Sequence, residues 1–263
     1  MNRIDLSAAT FIIPVRIDSP DRARNLRLVL AYLRDNFETN VIIFESDAER
    51  KARFIVDEAR SSGGCGGWKY WFENTDDFTF LRTRMLNEML DCVDTPVTVN
   101  YDADILLRPA AYKASVAAIV DGGCDLVYPY ARGDSQRRVT VPDDPGVDLF
   151  DPKYSEPWQS VCGFVQFFRT SAYRAGGMEN EGFLSYGAED VERMIRFQKL
   201  GYRVEWLEHP IWHLEHARGR NSGPGNPHFL ANEALYRKLE AMTADELRAY
   251  YATAPYRQKY ANA

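Results

Sequence analysis

The sequence predicts an α/β fold, a mostly parallel central sheet flanked by helices. Two observations carry that prediction. Short apolar runs alternate with helical patterns through the first half of the chain, and polar or charged residues stand where several of those runs end. Such alternation implies right-handed crossovers, and ligands of open sheets gather beyond the carboxyl ends of the strands. Val15, Arg16, Glu45 and Asp102 fall there.

The elements follow in order. Thr10 to Val15 (TFIIPV) reads as a strand, and Ser19-Pro20-Asp21 as a helix start ahead of Leu26, Leu28, Val29, Leu30, Tyr32 and Leu33. Val41 to Phe44 is the next strand and Ala48 to Arg60 the next helix, stopped by Ser61-Ser62-Gly63-Gly64. Trp68 to Phe72 gives a third strand, Phe80 to Leu90 a helix, and Pro96 to Tyr101 a strand with Asp102 at its end. Pro109 opens a helix to about Val120, ahead of a strand over Asp125 to Tyr128. Ala131 to Trp158 is polar, rich in proline and too long for an ordinary connection, so it reads as a functional or a disordered loop. Val161 to Phe168 is a strand, Ala188 to Leu200 a helix, Tyr202 to Leu207 and Ile211 to Leu214 strands, and the chain after Asn232 helical. There is no internal repeat.

The 263 residues are 45% hydrophobic and 27% charged, enough for one substantial core. A net charge of −6 argues against nucleic acid as a partner, because phosphate backbones are held by surplus Lys and Arg. Met1 to Ala9 is too polar for a signal peptide, and no apolar run approaches a membrane span. Cys65, Cys92, Cys124 and Cys162 lack metal-knuckle spacing and read as reduced thiols of a cytoplasmic protein.

Three clusters carry chemistry. Asp102-Ala103-Asp104 offers oxygen ligands to a hard divalent cation, with a solvated turn as the alternative. His213-Leu214-Glu215-His216 holds two of the four histidines; residues three apart on a strand face opposite sides, so both imidazoles reach one ion only if the strand ends near His213. One Asp and two His suit Mn²⁺, or less often Fe²⁺, with Mg²⁺ as a further option. Glu189-Asp190 follows Gly187 at a helix start, where the carboxylates either cap the helix or supply a general base at Asp190. Together the clusters equip a site that moves a sugar off a nucleoside diphosphate. Arg16, Arg82 and Arg84 are candidates for the phosphates, and Tyr186, Phe183 and Trp158 for stacking on sugar rings. Ala217 to Pro227, with three glycines and two prolines, reads as a mobile lid, open or disordered with His216 away from the metal position until a donor binds.

Five segments in this order also carry a family resemblance. Phe11-Ile12-Ile13-Pro14-Val15-Arg16 resembles an I-P-F-R strand, Phe80 to Asn87 an F-N-R-A-K-L-L-N helix, and Asp102 to Ile105 a D-V-D-L motif. Tyr186 to Asp190 resembles W-G-G-E-D, and His213 to His216 falls where the family has M-x-x-H. The chain thus resembles GT-A-fold glycosyltransferases, and among them is similar to β-1,4-galactosyltransferases and bacterial family-2 chondroitin-type enzymes. The resemblance implies that Pro14, Val15, Arg16, Phe80, Arg82, Asp102 and Tyr186 hold the nucleotide sugar. It implies Asp104, His213 and His216 as Mn²⁺ ligands, Asp190 as the base of an inverting reaction, and Glu189 as an acceptor contact. A UDP-sugar donor of galactose or N-acetylgalactosamine type and a saccharide or glycoconjugate acceptor follow. Residues 1–240 would be one GT-A domain, with a nucleotide-sugar half over 1–130 and an acceptor half over 131–240, followed by a helical tail over 241–263. A retaining transferase, a phosphoester hydrolase and a non-catalytic nucleotide-sugar binder are the alternatives. Tyr186 for Trp and Ala188 for Gly are the departures.

Overall fold

The computed structural model describes residues 2–131, 133, 135–144, 146–159, 162–219 and 221–260. Among these, the first half alternates as the sequence predicts: β1 (Ile4–Val15), α1 (Pro20–Asn36), β2 (Phe37–Asp47), α2 (Lys51–Ser61), β3 (Trp68–Asn74), α3 (Arg82–Asp91) and β4 (Val97–Tyr101). After β4 come β5 (Ile105–Leu107), α4 (Pro109–Val120), β6 (Leu126–Tyr130), β7 (Gln136–Val139), β8 (Ser155–Pro157), β9 (Val165–Arg169), α5 (Thr170–Ala175) and α6 (Glu189–Lys199). The chain closes with β10 (Val204–His209), β11 (Ile211–Leu214), α7 (Phe229–Glu240) and α8 (Ala244–Ala252).

A seven-stranded sheet in the order β10-β6-β9-β4-β1-β2-β3 forms the centre, and α1 to α4 pack against its strands. The pairs β1–β2, β1–β4, β2–β3 and β10–β6 are parallel, whereas β9 runs antiparallel to both β4 and β6. Central strands read as unbroken apolar runs because helices cover the sheet: Phe11, Ile12, Ile13, Val97, Val99 and Tyr101 are fully buried. Helix α1 starts where its signals place it, with Ser19 accepting from the Arg22 backbone N–H at 3.3 Å and Pro20 in the first turn.

A second sheet, β5-β11-β7-β8, departs from expectation. The polar stretch after Ala131 is not a loop throughout, since it supplies β7 and β8. Gln136-Arg137-Arg138-Val139 has no apolar alternation to read; its extended form comes from pairing with β11 on one side and β8 on the other. The strand expected from Val161 begins only at Val165, because Phe164 takes a left-handed φ of 76°; Val161 lies outside the described residues. Helix α8 carries a Thr243/Glu246 capping box and sends the Tyr251 hydroxyl to Glu192 at 2.6 Å. No helix among the described residues is long and apolar enough to cross a membrane.

Candidate active site

The second sheet brings two distant clusters together. Antiparallel pairing sets Ile105 of β5 opposite His213 of β11, and the Leu214 N–H donates to the Asp104 carbonyl at 2.7 Å. Strand β11 ends at Leu214, so the chain turns before His216 and the alternation of faces no longer separates the two imidazoles. Asp104 Oδ2 lies 3.0 Å from His216 Nε2 and 3.7 Å from His213 Nε2, and one ligand atom from each residue falls within 4.8 Å of the others.

The state of these groups suits a cation. His216 Nδ1 faces the Ala217 carbonyl at 2.9 Å, which leaves Nε2 as the ligand nitrogen. Burial penalises the His216 charge, yet the hydrogen bond to Asp104 and the charge of that carboxylate together outweigh it and raise the imidazole above its ordinary value. Burial pushes His213 down to about 4, keeping it neutral. Burial also works to raise Asp104, but the two imidazoles overcome it and hold the carboxyl down at about 2. The edge of Trp158, 4.3 Å from His213 between ring centroids, closes one side. A carboxylate and two imidazoles whose Oδ2 and Nε2 atoms converge on one point match the donor set of a borderline divalent ion such as Mn²⁺.

The other carboxylates are set differently. Ser185, Gly187 and Ala188 all have positive φ, of 58°, 128° and 63°, a turn that carries Glu189 and Asp190 into the cavity at the start of α6. At Gly187 the φ of 128° calls for glycine, and a Cβ there would also come within a tight 3.1 Å of the Phe229 ring. Ala188, where the resembled motif has Gly, adopts the left-handed conformation regardless. Glu189 accepts from the Gly187 N–H at 3.1 Å, a contact ahead of the helix that caps none of its first-turn N–H groups, and burial followed by the charge of Asp190 pushes its carboxyl up to about 7 against the opposing pull of Arg82. Asp190 does not cap the helix; its Oδ1 meets Arg193 at 2.9 Å and Arg82 at 3.7 Å. Arg82 also binds Asp102 at 2.8 Å.

One cavity of about 260 Å³ is lined by Pro14, Val15, Arg16, Phe80, Arg82, Asp102, Asp104, Tyr186, Glu189, Asp190, His213 and His216. These twelve sequence candidates therefore share one space, and a thirteenth, Trp158, lines it with them. Phe80 sits ahead of α3 rather than within it, its N–H held by Ser185 and Asn221 at 3.2 Å each. Three other candidates lie elsewhere. Arg84 pairs with Glu73 and Glu88, Phe183 is buried in the core, and Glu45 is buried against Tyr70 and the Ala52 N–H. Asp18, Arg22, Ser185, Asn221 and Arg218 line the cavity without having been anticipated; Arg22 is held by Asp18 at 2.9 Å and donates to Ser222 at 3.0 Å. No spacing signal marks them, because they arrive from separate segments.

The expectation of an open segment after His216 is not the arrangement described. His216 stands beside Asp104, Asn221 accepts from Ser185 Oγ at 2.7 Å, and Asn226 donates to the Tyr186 carbonyl at 2.7 Å. Residue 220 lies outside the described residues.

No family model and no curated protein sequence matches the chain. Solved structures do. A mannosyltransferase, PcManGT from Pyrobaculum calidifontis, solved with GDP-Man and Mn²⁺, superposes with a TM-score of 0.57 at 16% identity over 96% of this chain and 72% of that one. GalNAc-T7, solved with UDP, GalNAc and Mn²⁺, gives 0.59 at 13% identity over 92% of this chain and 50% of that one. TarS residues 1–349 of S. aureus, solved with UDP-GlcNAc, gives 0.57 at 12% identity over 94% and 72%. The chain has the GT-A fold. In this GT-A fold the cavity opens beyond the carboxyl ends of β1 and β4, where Val15 and Asp102 stand. The antiparallel β9 and the small second sheet complete its far side through Gly163, Phe164, Trp158 and His213.

Proposed function

We propose that this chain is a metal-dependent inverting glycosyltransferase, moving a sugar from a nucleoside diphosphate to a hydroxyl of a saccharide or glycoconjugate. The observation that carries this reading is one cavity holding both a three-ligand cation site and a separate carboxylate pair restrained by arginines. The neighbours solved with GDP-Man, UDP and UDP-GlcNAc support a nucleotide-sugar donor. UDP-galactose and UDP-N-acetylgalactosamine are the first donors to test.

A divalent ion on Asp104, His213 and His216, Mn²⁺ first and Mg²⁺ second, would supply the positive charge that stabilises a departing diphosphate. Pro14, Val15, Arg16 and Phe80 form the nucleotide wall; the Arg16 guanidinium, fixed by the Ser46 and Phe78 carbonyls at 2.7 and 2.6 Å, lies 5.7 Å over the Phe80 ring. Arg82 holds Asp102 and so ties the nucleotide side to the carboxylate side. Asp190 accepts the acceptor hydroxyl proton as that oxygen bonds to the anomeric carbon and the carbon–diphosphate bond breaks on the opposite face, inverting configuration. Glu189, whose carboxyl burial and the charge of Asp190 push up to about 7, offers hydrogen bonds to an acceptor sugar. Tyr186, 39% exposed at the rim and stacked on Phe229, offers a ring face to that sugar.

The test has two stages. Screening UDP-, GDP- and dTDP-sugars for Mn²⁺-dependent thermal stabilisation identifies the donor, since a ligand held only by the folded state raises apparent stability. Release of the nucleotide is then followed with and without saccharide acceptors. Release that depends on acceptor, with a product of opposite anomeric configuration, is expected. Equal release in both cases assigns a hydrolase instead, and an unchanged configuration assigns a retaining transferase.

A further inference from the structure

Behind Asp190 lies a buried ion pair that the proposed reaction does not use. Arg193 and Glu179 are 0% and 1% exposed, and they bond in two parallel contacts, Nε to Oε1 at 2.7 Å and Nη2 to Oε2 at 2.8 Å. The remaining guanidinium nitrogen, Nη1, donates to Asp190 Oδ1 at 2.9 Å and to Gln166 Oε1 at 3.1 Å. Glu179 is fixed in turn by the Tyr173 hydroxyl and by Asn100 Nδ2 at 3.2 Å, while its backbone is clamped by Asn87 through contacts of 2.8 and 2.9 Å. A buried ion pair is weak evidence of stabilisation, because apolar packing does as well at such positions. The third contact, onto a cavity carboxylate, is what packing could not replace.

We propose that Arg193 is a positioning residue for Asp190, with Glu179 as the counter-charge that lets it hold the base without disabling it. This rests on the reading of Asp190 as the base. A lone guanidinium at 2.9 Å would fix a carboxylate but hold its proton affinity down. Glu179 takes two of the three guanidinium nitrogens, so the pair presents Asp190 with a nearly neutral, rigid donor. Both ion-pair contacts of Asp190 fall on Oδ1, which leaves Oδ2 to take the proton. The charged and titratable groups facing Asp190 are Arg82 of α3, Asp102 after β4, Glu189 and Arg193 of α6, and Tyr128 and Tyr130 of β6. Of these, Arg193 makes the shortest contact, and its other two nitrogens are hydrogen-bonded to a buried acid outside the cavity.

The test reads the Asp190 carboxyl directly. Protein labelled with ¹³C at aspartate carboxyls is titrated, with the Asp190 signal assigned by its loss in Asp190→Asn. Glu179→Gln should lower the proton affinity of Asp190 about tenfold, the scale of one uncompensated neighbouring cation. Arg193→Gln combined with Glu179→Gln leaves no buried charge unpaired, and should raise that affinity severalfold above the parent while kcat falls and donor KM holds. If Glu179→Gln does not fold, the double variant decides alone. Titrations that coincide in the folded variants and the parent overturn the role of Arg193. An Asp190→Asn protein that still transfers sugar removes the base itself, and with it this role, whatever the titrations show.

Discussion

Two carboxylates of the cavity, Asp104 and Glu189, experience comparable burial and end in opposite states. Asp104, 9% exposed, has two imidazoles and no guanidinium in direct contact, and its carboxyl is held down at about 2. Glu189 stands beside a second carboxylate, at the limit of reach of Arg82 at 4.0 Å, and is driven up to about 7. Burial penalises both charges; the neighbours decide the outcome. One end of the cavity is thus an anionic pocket with nitrogen ligands, ready for a cation. The other is a carboxylate pair held by Arg82 and by Arg193, whose own charge Glu179 offsets. On the proposed reading a metal would sit at the first end, and the second would be left to a base that no metal covers.

The largest effects should separate the two ends cleanly. Asp190→Asn keeps shape but loses the proton acceptor, and should lower kcat by about 10²–10⁴-fold, the range for a general base, while Mn²⁺-dependent donor binding stays within about twofold. Asp104→Ala should do the reverse. It removes the oxygen shared by both imidazoles, and Mn²⁺ affinity by calorimetry should fall by at least about 100-fold, the upper range for loss of even an outer contact of a metal site. Unchanged Mn²⁺ affinity would remove the metal assignment. Weakened Mn²⁺ binding in Asp190→Asn would show that the two ends are not independent.

A smaller effect tests the Glu189 end through stability. Its folded carboxyl is raised to about 7 from an ordinary value near 4.5, so the folded state favours the protonated form. The stability that protonation contributes is complete below about pH 4.5 and is lost as pH rises through about 7. Glu189→Gln removes the ionisable group and with it that loss. In metal-free protein, the variant should therefore gain on the parent between about pH 5 and pH 8 by on the order of 1–3 kcal/mol, read from denaturant unfolding at each pH. A stability difference that does not change with pH would show that Glu189 ionises normally.

How much of this was legible in the sequence follows the same division. The central sheet could be read because β1, β2 and β4 are buried on both faces and so appear as apolar runs. Strands β5, β7 and β8 could not, since strands of three or four residues take their form from their partners. That second sheet is what seats His213 against Asp104, so the proposed metal ligands were legible as residues while their meeting was not. Asp190 was legible from its motif, whereas nothing in the sequence marks Arg193, one turn on. Only its buried pairing with Glu179, which lies in a different segment of the chain, gives it a different meaning. Arg84 misled for the converse reason: its neighbours Glu73 and Glu88 claim it away from the cavity.

The smallest predicted effect concerns the turn that delivers Glu189 and Asp190. Ala188 holds φ 63° and ψ −10°, where its Cβ crowds the backbone at a cost on the order of 1 kcal/mol. Ala188→Gly removes that cost, but it also loosens the unfolded chain and gives up the contact a half-buried methyl makes with the core. The net gain should be about 0.5 kcal/mol, a rise in Tm of roughly 1–2 °C for a chain of this size. Activity sharpens the result. If the strained turn only sets the direction of the chain, the Ala188→Gly variant should keep the parent kcat, because the Arg193 contact at 2.9 Å still locates Asp190. A more stable variant with clearly lower kcat would mean that the methyl group, wedged at the start of α6, helps to aim the carboxylates.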